Sequence, residues 1–162
     1  MELTAAVIES WDRNCRILDA VASRVDESNR HAKPSEDGWP IDTHLAHVHK
    51  VRQFHLQQLD PEGARALPEV FRRGWEEPLE DIDAIKAALR ESASAVRKAM
   101  QAALESGQGP VVGYDHPLFL LQHLVWHEGW HVGLIFLALR LAGQEVPEAW
   151  EEARVWGQWR TD

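Results

Sequence analysis

A chain of 162 residues is long enough for one domain with its own apolar core and too short for two of ordinary size. Its 26 acidic residues outnumber 17 basic ones, giving a net charge of −9 that leaves little basic surface for a phosphate backbone and excludes nucleic acid as an expected partner. The single cysteine, Cys15, rules out an intramolecular disulfide; a small apolar helix residue in a reducing, cytoplasmic compartment is the expectation.

The first residues, MELTAAVIESWDR, carry no basic run and no long apolar run, so no signal peptide is expected. Leu3, Val7, Trp11, Cys15, Leu18, Ala22 and Val25 then recur every three or four residues, which predicts a first helix. KPSEDGWP stops it. A second helix is predicted from Pro40, well suited to a first helical position, with Asp42 in its first turn, to about Leu59. A long connection, DPEGARALPEVFRRGWEEP, leads to a third helix with Ile82, Ile85, Leu89, Val96, Met100 and Leu104 on one stripe, ending at Ser106-Gly107. A fourth begins at Asp115-His116-Pro117 and runs to Gly143. No stretch alternates with period two for long enough to predict a strand. The tail adds a short helical piece carrying Trp150, Trp156 and Trp159.

Four amphipathic helices predict an all-α fold, a four-helix bundle spanning 1–162 as a single domain with a short Trp-rich extension. Pro117 to Gly143 is apolar enough to suggest a membrane span. His123, His127, Glu128 and His131 near its middle would make that costly, so a buried helix is expected and no membrane partner.

The segment His127-Glu128-Gly129-Trp130-His131 matches H-E-x-x-H, the pattern of zinc metalloproteases. Two histidines four apart share one helix face and can reach a single ion, and theirs coincides with the stripe of Leu120, Leu124, Leu134 and Ala138. The extended protease form would need Gly and His where this chain has Leu134 and Leu137. No predicted strand supplies a sheet edge for an extended peptide, so peptidase activity is disfavoured. A third ligand could come from the second helix. There His44 and His55 lie near the centre of the apolar arc of Ile41, Leu45, Val48, Val51, Phe54 and Leu59; His47 lies toward one edge, and His49 largely outside. Periodicity leaves His44, His47 and His55 all eligible. Glu128 is rotated about 100° from His127 on an ideal helix and is expected as a solvated or interface residue, not a base.

With these residues in place, the chain resembles the DinB/YfiT-like family of small helical-bundle metalloenzymes. The resemblance rests on Trp39 opening the second helix, His47 eight residues later, and His127, His131 and Gly133 in HEGWHVG. The ending AWEEARVWGQWR is also similar to that of one branch of the family, so the likeness covers nearly the whole chain. It implies an up-down-down-up bundle and a divalent metal ion, zinc or nickel, held by His47, His127 and His131. It also implies a small-molecule substrate, with thiol-dependent S-transfer using a low-molecular-weight thiol placed ahead of hydrolysis. A non-catalytic metal-binding or dimerising bundle is the further alternative. Leu134 departs from the family, which often has Gln there, so a polar neighbour of the site is expected to be missing.

The fourth helix is apolar beyond its histidine stripe, at Phe119, Val125, Trp126, Trp130, Val132, Phe136 and Leu137. Gly129 and Gly133 could admit a second backbone, and a homodimer is expected unless the connection and the tail cover this face.

Overall fold

In the computed structural model, which describes residues 2–161, two of the long helices start on side-chain caps. Asp81 accepts hydrogen bonds from the N–H groups of Asp83 and Ala84. His116 accepts one from Leu118 N–H, with Pro117 at the first helical position. These caps open α4 (Ile82–Glu105) and α5 (Pro117–Leu141), and Gly143, at φ 73°, lets the chain turn after α5. Before them run α1 (Leu3–Ala22), α2 (Ile41–Leu56) and a short α3 (Pro61–Ala66); after them come α6 (Glu148–Arg154) and a 3-10 turn, Trp156–Gln158. The chain is thus mostly helical, and the long helices lie where the periodicity predicts them. Among the described residues no helix is long and apolar enough to cross a membrane.

Three details differ from the sequence expectation. The connection contains a small antiparallel pair, β1 (Phe71–Arg73) and β2 (Glu77–Pro78). Segments this short carry no measurable alternation; burial of Val70 and Phe71 against the helices holds them. The second helix stops at Leu56, three residues early, and the chain turns into α3, whose Asp60 cap accepts from Gly63 N–H. The buried face of α2 is also rotated from the predicted arc. Phe54 is exposed, while Asp42, His49, Arg52 and Gln53 are buried. An arc drawn from apolar residues alone cannot anticipate polar side chains whose hydrogen bonds are satisfied inside. His49 illustrates this, with one ring nitrogen 2.9 Å from Ala88 O and the other 2.9 Å from Pro68 O.

The four long helices pack in a ring: α1 on α4, α4 on α2, α2 on α5, and α5 back on α1. Their apolar residues form two layers. One joins the C-terminal half of α1 (Leu18, Val21) and of α5 (Ile135, Leu139) to the N-terminal half of α2 (Ile41, Leu45) and of α4 (Ile82, Ile85). The other joins the opposite halves through Trp11, Leu56, Met100 and Leu121. Between the layers lies a polar waist. Arg52 and Glu128 form an ion pair there at 2.7 Å, both essentially without solvent contact. Asn14 donates to Glu128 at 2.6 Å, Arg52 donates to Leu89 O at 2.8 Å, and the guanidinium stands 5.0 Å from the Trp11 ring. One network therefore touches all four long helices.

Candidate metal centre

The adjacency of α2 and α5 decides which histidines meet. His127 and His131, one turn apart on α5, face His47 on α2, and one ligand atom from each lies within 4.8 Å of the others. The Nε2 atoms of His127 and His131 are 3.1 Å apart. A tetrahedral ion with metal–nitrogen bonds of about 2.05 Å sets its ligand atoms about 3.3 Å apart, and an octahedral one about 2.9 Å. The observed separation falls between these. Two neutral imidazoles could share one proton across such a gap, but three converging nitrogens cannot all be satisfied that way. The donor set fits a divalent cation.

Protonation agrees with the geometry. Burial, with smaller contributions from the neighbouring histidines, pushes His127 down to about 4 and His131 down to about 3. Burial also lowers His47. The imidazoles are therefore neutral near pH 7 with lone pairs free, the form a metal requires.

The surroundings fix the three imidazoles. His44 Nδ1 lies 2.8 Å from His131 Nδ1. With His131 Nε2 turned to the cluster, its Nδ1–H donates to His44, which sets the tautomer and the ring plane. His44 Nε2 is then left buried without a protein partner. Trp39 stacks on His131 with ring centroids 6.5 Å apart and planes 9° apart, and its centroid is 5.1 Å from His47. Trp75, from the turn between β1 and β2, comes within 5.5 Å of His47. A cleft of about 290 Å³, walled by Trp39, Trp130, His44, His131 and Leu134, opens beside the centre. A second, of about 580 Å³, lies beyond Trp39 and Trp75 among Arg30, Asp42, Arg72 and Glu77 and is lined by none of the three histidines.

Of the three eligible histidines on α2, the structure thus brings His47 into the trio and sets His44 behind His131. His55 lies further along, against Tyr114 and His123. The tail tryptophans wall neither cleft. Instead Trp150 packs on the apolar layer under Arg24. Leu134 does stand at the rim, as an apolar wall. Glu128 requires a correction. It is 0 % exposed and neither solvated nor at an interface. One of its oxygens accepts from Arg52 Nε and the other from Arg52 and Asn14, so it is not free to act as a base, and the H-E-x-x-H match is not a protease site. Sequence reasoning had a signal for one partner: Glu128 sits inside the otherwise apolar run of α5, where a charge calls for a partner, but Arg52, among Lys50, Gln53 and His55, had none. Trp75 had none, since its position depends on a two-residue strand pairing.

Searches among curated proteins and among solved structures return no match. The family comparison does: the DinB family pattern matches residues 1–161, from the first helix through the Trp-rich tail. On that match over nearly its whole length, the chain belongs to the DinB family.

Proposed function

We propose that His47, His127 and His131 hold one divalent metal ion and that the chain is a metal-dependent enzyme acting on a small molecule, with thiol-dependent S-transfer as its reaction. The observation that carries this reading is the convergence of three neutral imidazole nitrogens within 4.8 Å beside an open cleft. Three protein ligands leave a coordination position free, as in catalytic and not closed structural sites. When bound, the ion supplies Lewis acidity, lowering the pKa of a thiol or a water that occupies the free position.

The remaining work falls to the protein. His44 holds His131 in the ligating tautomer, while Trp39 and Trp75 offer flat apolar walls to a substrate. The ligand group among the described residues contains no carboxylate, and Glu128 is committed to Arg52. Hydrolysis gains most from a positioned general base, whereas an ionised thiol needs none, and this favours S-transfer over hydrolysis. The same reading takes the fold as an up-down-down-up bundle, supported by the apolar layer that collects the C-terminal halves of α1 and α5 with the N-terminal halves of α2 and α4. A homodimer and a cytoplasmic location complete it.

Metal analysis of the purified chain, followed by a screen of low-molecular-weight thiols with electrophilic acceptors, tests the assignment. About one ion per chain that His47→Ala removes, and thiol consumption that stops on chelation, are expected. Turnover of esters or amides by the metal-loaded chain with no thiol requirement would replace S-transfer with hydrolysis.

A further inference from the structure

Beyond the three ligands, the line of histidines on α2 and α5 continues. His55 lies three turns past His44 on nearly the same face of α2, and His123 lies one turn before His127 on α5. Tyr114 joins them from the connection before α5. Its backbone is fixed by a reciprocal pair of hydrogen bonds with Val111, at 3.1 and 2.8 Å, closed through Gly113 at φ 84°, a conformation that glycine adopts without strain. His116 and Pro117 then start α5 immediately, so the tyrosine is held over the first turns of that helix.

The three rings form a nearly equilateral triangle. Their centroids are 5.6 Å apart for His55 and His123, 5.8 Å for His55 and Tyr114, and 5.8 Å for Tyr114 and His123. The Tyr114 hydroxyl meets His123 Nδ1 in a close contact. A Tyr–His hydrogen bond alone accounts for that pair but leaves His55 Nδ1 buried with no partner. Two imidazole rings and a phenol ring packed with their centroids within 5.8 Å of one another, with one buried nitrogen unpaired, make a ligand set that an ion would complete.

We propose that His55, His123 and Tyr114 form a second metal site, one helical turn from the first and sharing no ligand with it. The ion is a divalent late transition metal. Imidazole suits copper, zinc and nickel, and copper stands highest in affinity for such donors. As the oxygen–metal bond forms, the Tyr114 hydroxyl proton passes to solvent. This site does not depend on the function proposed above: its ligands are separate and its test has a separate readout.

Tyr114 is the chain's one tyrosine, so a phenolate-to-copper absorption band can come from no other residue. Cys15 is a weak competitor, because burial pushes its thiol up to about 12, and a Cys15→Ala background removes it altogether. The experiment strips the full-length chain of metal and titrates it with Cu²⁺, following stoichiometry and visible absorption. The parent should take two ions and develop the charge-transfer band. Tyr114→Phe, which keeps the ring, should abolish the band and weaken the second equivalent at least tenfold, while His123→Ala should reduce the stoichiometry to one. His47→Ala should lose the other equivalent and keep the band. Should His123→Ala fail to fold, Tyr114→Phe still decides. A parent that takes one ion with no band, or a band that survives Tyr114→Phe, overturns the second site. A parent that develops the band but binds no equivalent that His47→Ala removes overturns the first site and leaves the second standing.

Discussion

His131 makes contacts on three sides: His127 across the ligand gap, His44 at its other nitrogen and Trp39 over its face. Different consequences follow for substitutions that sit one residue apart in space. His47→Ala, His127→Ala or His131→Ala should abolish stoichiometric binding of divalent metal at the trio. His44→Ala should keep the stoichiometry but weaken binding by about 10- to 100-fold, the usual cost of losing a partner that orients a ligand. His49→Ala should leave affinity unchanged, since that ring is engaged by Ala88 and Pro68. Isothermal titration with Zn²⁺ in a Tyr114→Phe background reads these effects; an empty trio in His44→Ala alone would transfer the ligand role to His44. Protonation gives a second check. Burial holds His44 at about 4, His127 at about 4 and His131 at about 3, all below the unfolded value of about 6.5. Below that value the unfolded chain binds protons that the folded chain refuses. The stability these neutral rings contribute is thus present in full above about pH 6.5 and is lost as pH falls toward about 4. Urea midpoints of the metal-free chain should decline over that window, and a flat profile would contradict the assigned neutrality.

At the level of helices, the waist ties the ligand-bearing elements together. Arg52 follows His47 on α2, Glu128 adjoins His127 on α5, and their ion pair fixes how the two helices meet. Burial works against the Arg52 charge, but the Glu128 carboxylate outweighs it and raises the arginine above its ordinary value. Removing one partner strands a buried charge, so Arg52→Met or Glu128→Ala should cost about 3–5 kcal/mol. Arg52→Met combined with Glu128→Leu should recover much of that loss, and denaturant unfolding of the three variants measures the difference. A double variant as unstable as the worse single one would mean that Asn14 and Leu89 depend on the pair more than the distances imply. This waist also marks the limit of what sequence patterns disclose. The long helices were legible because their apolar stripes repeat every three or four residues and their ends carry Asp81, Pro117 and Gly143. The trio was legible once the spacing of Trp39, His47 and HEGWH was set beside a family pattern. Neither route could rotate α2 to bury His49 and Arg52 while exposing Phe54, because that phase depends on partners far away in sequence. Trp75 was hidden for a similar reason, since β-pairing over two or three residues leaves no periodic trace.

Across the whole molecule, the surface of α5 is the part that four packed helices leave unresolved. Val132 is buried, and Val125 and Phe136 pack against the core, so the chain itself covers these three. Phe119, Trp126, Trp130, Leu137 and Leu141 remain exposed, with Trp126 at 71 % and Trp130 at 59 %. The tail does not cover them, because it lies on α1, where Arg13 donates to the Gln158 backbone carbonyl at 2.9 Å and Arg16 donates to the Gln158 side-chain oxygen at 3.0 Å. Gly129 and Gly133 sit among these residues with nothing within 4 Å of where a Cβ would stand, leaving a shallow notch along the helix. The face carries no acidic or basic residue between Pro117 and Arg140 other than histidine and the buried Glu128, so charge repulsion would not oppose a second copy despite the net −9. A patch of this kind on a helix of 25 residues suits a twofold contact in which two α5 helices cross at their glycines. The expected outcome is a homodimer at micromolar concentration in metal-replete buffer of ordinary ionic strength. Trp126→Glu with Trp130→Glu should convert it to a monomer that keeps its helicity and its metal. Light scattering that finds only monomer in the parent chain would rule this interface out and leave the patch to a different partner.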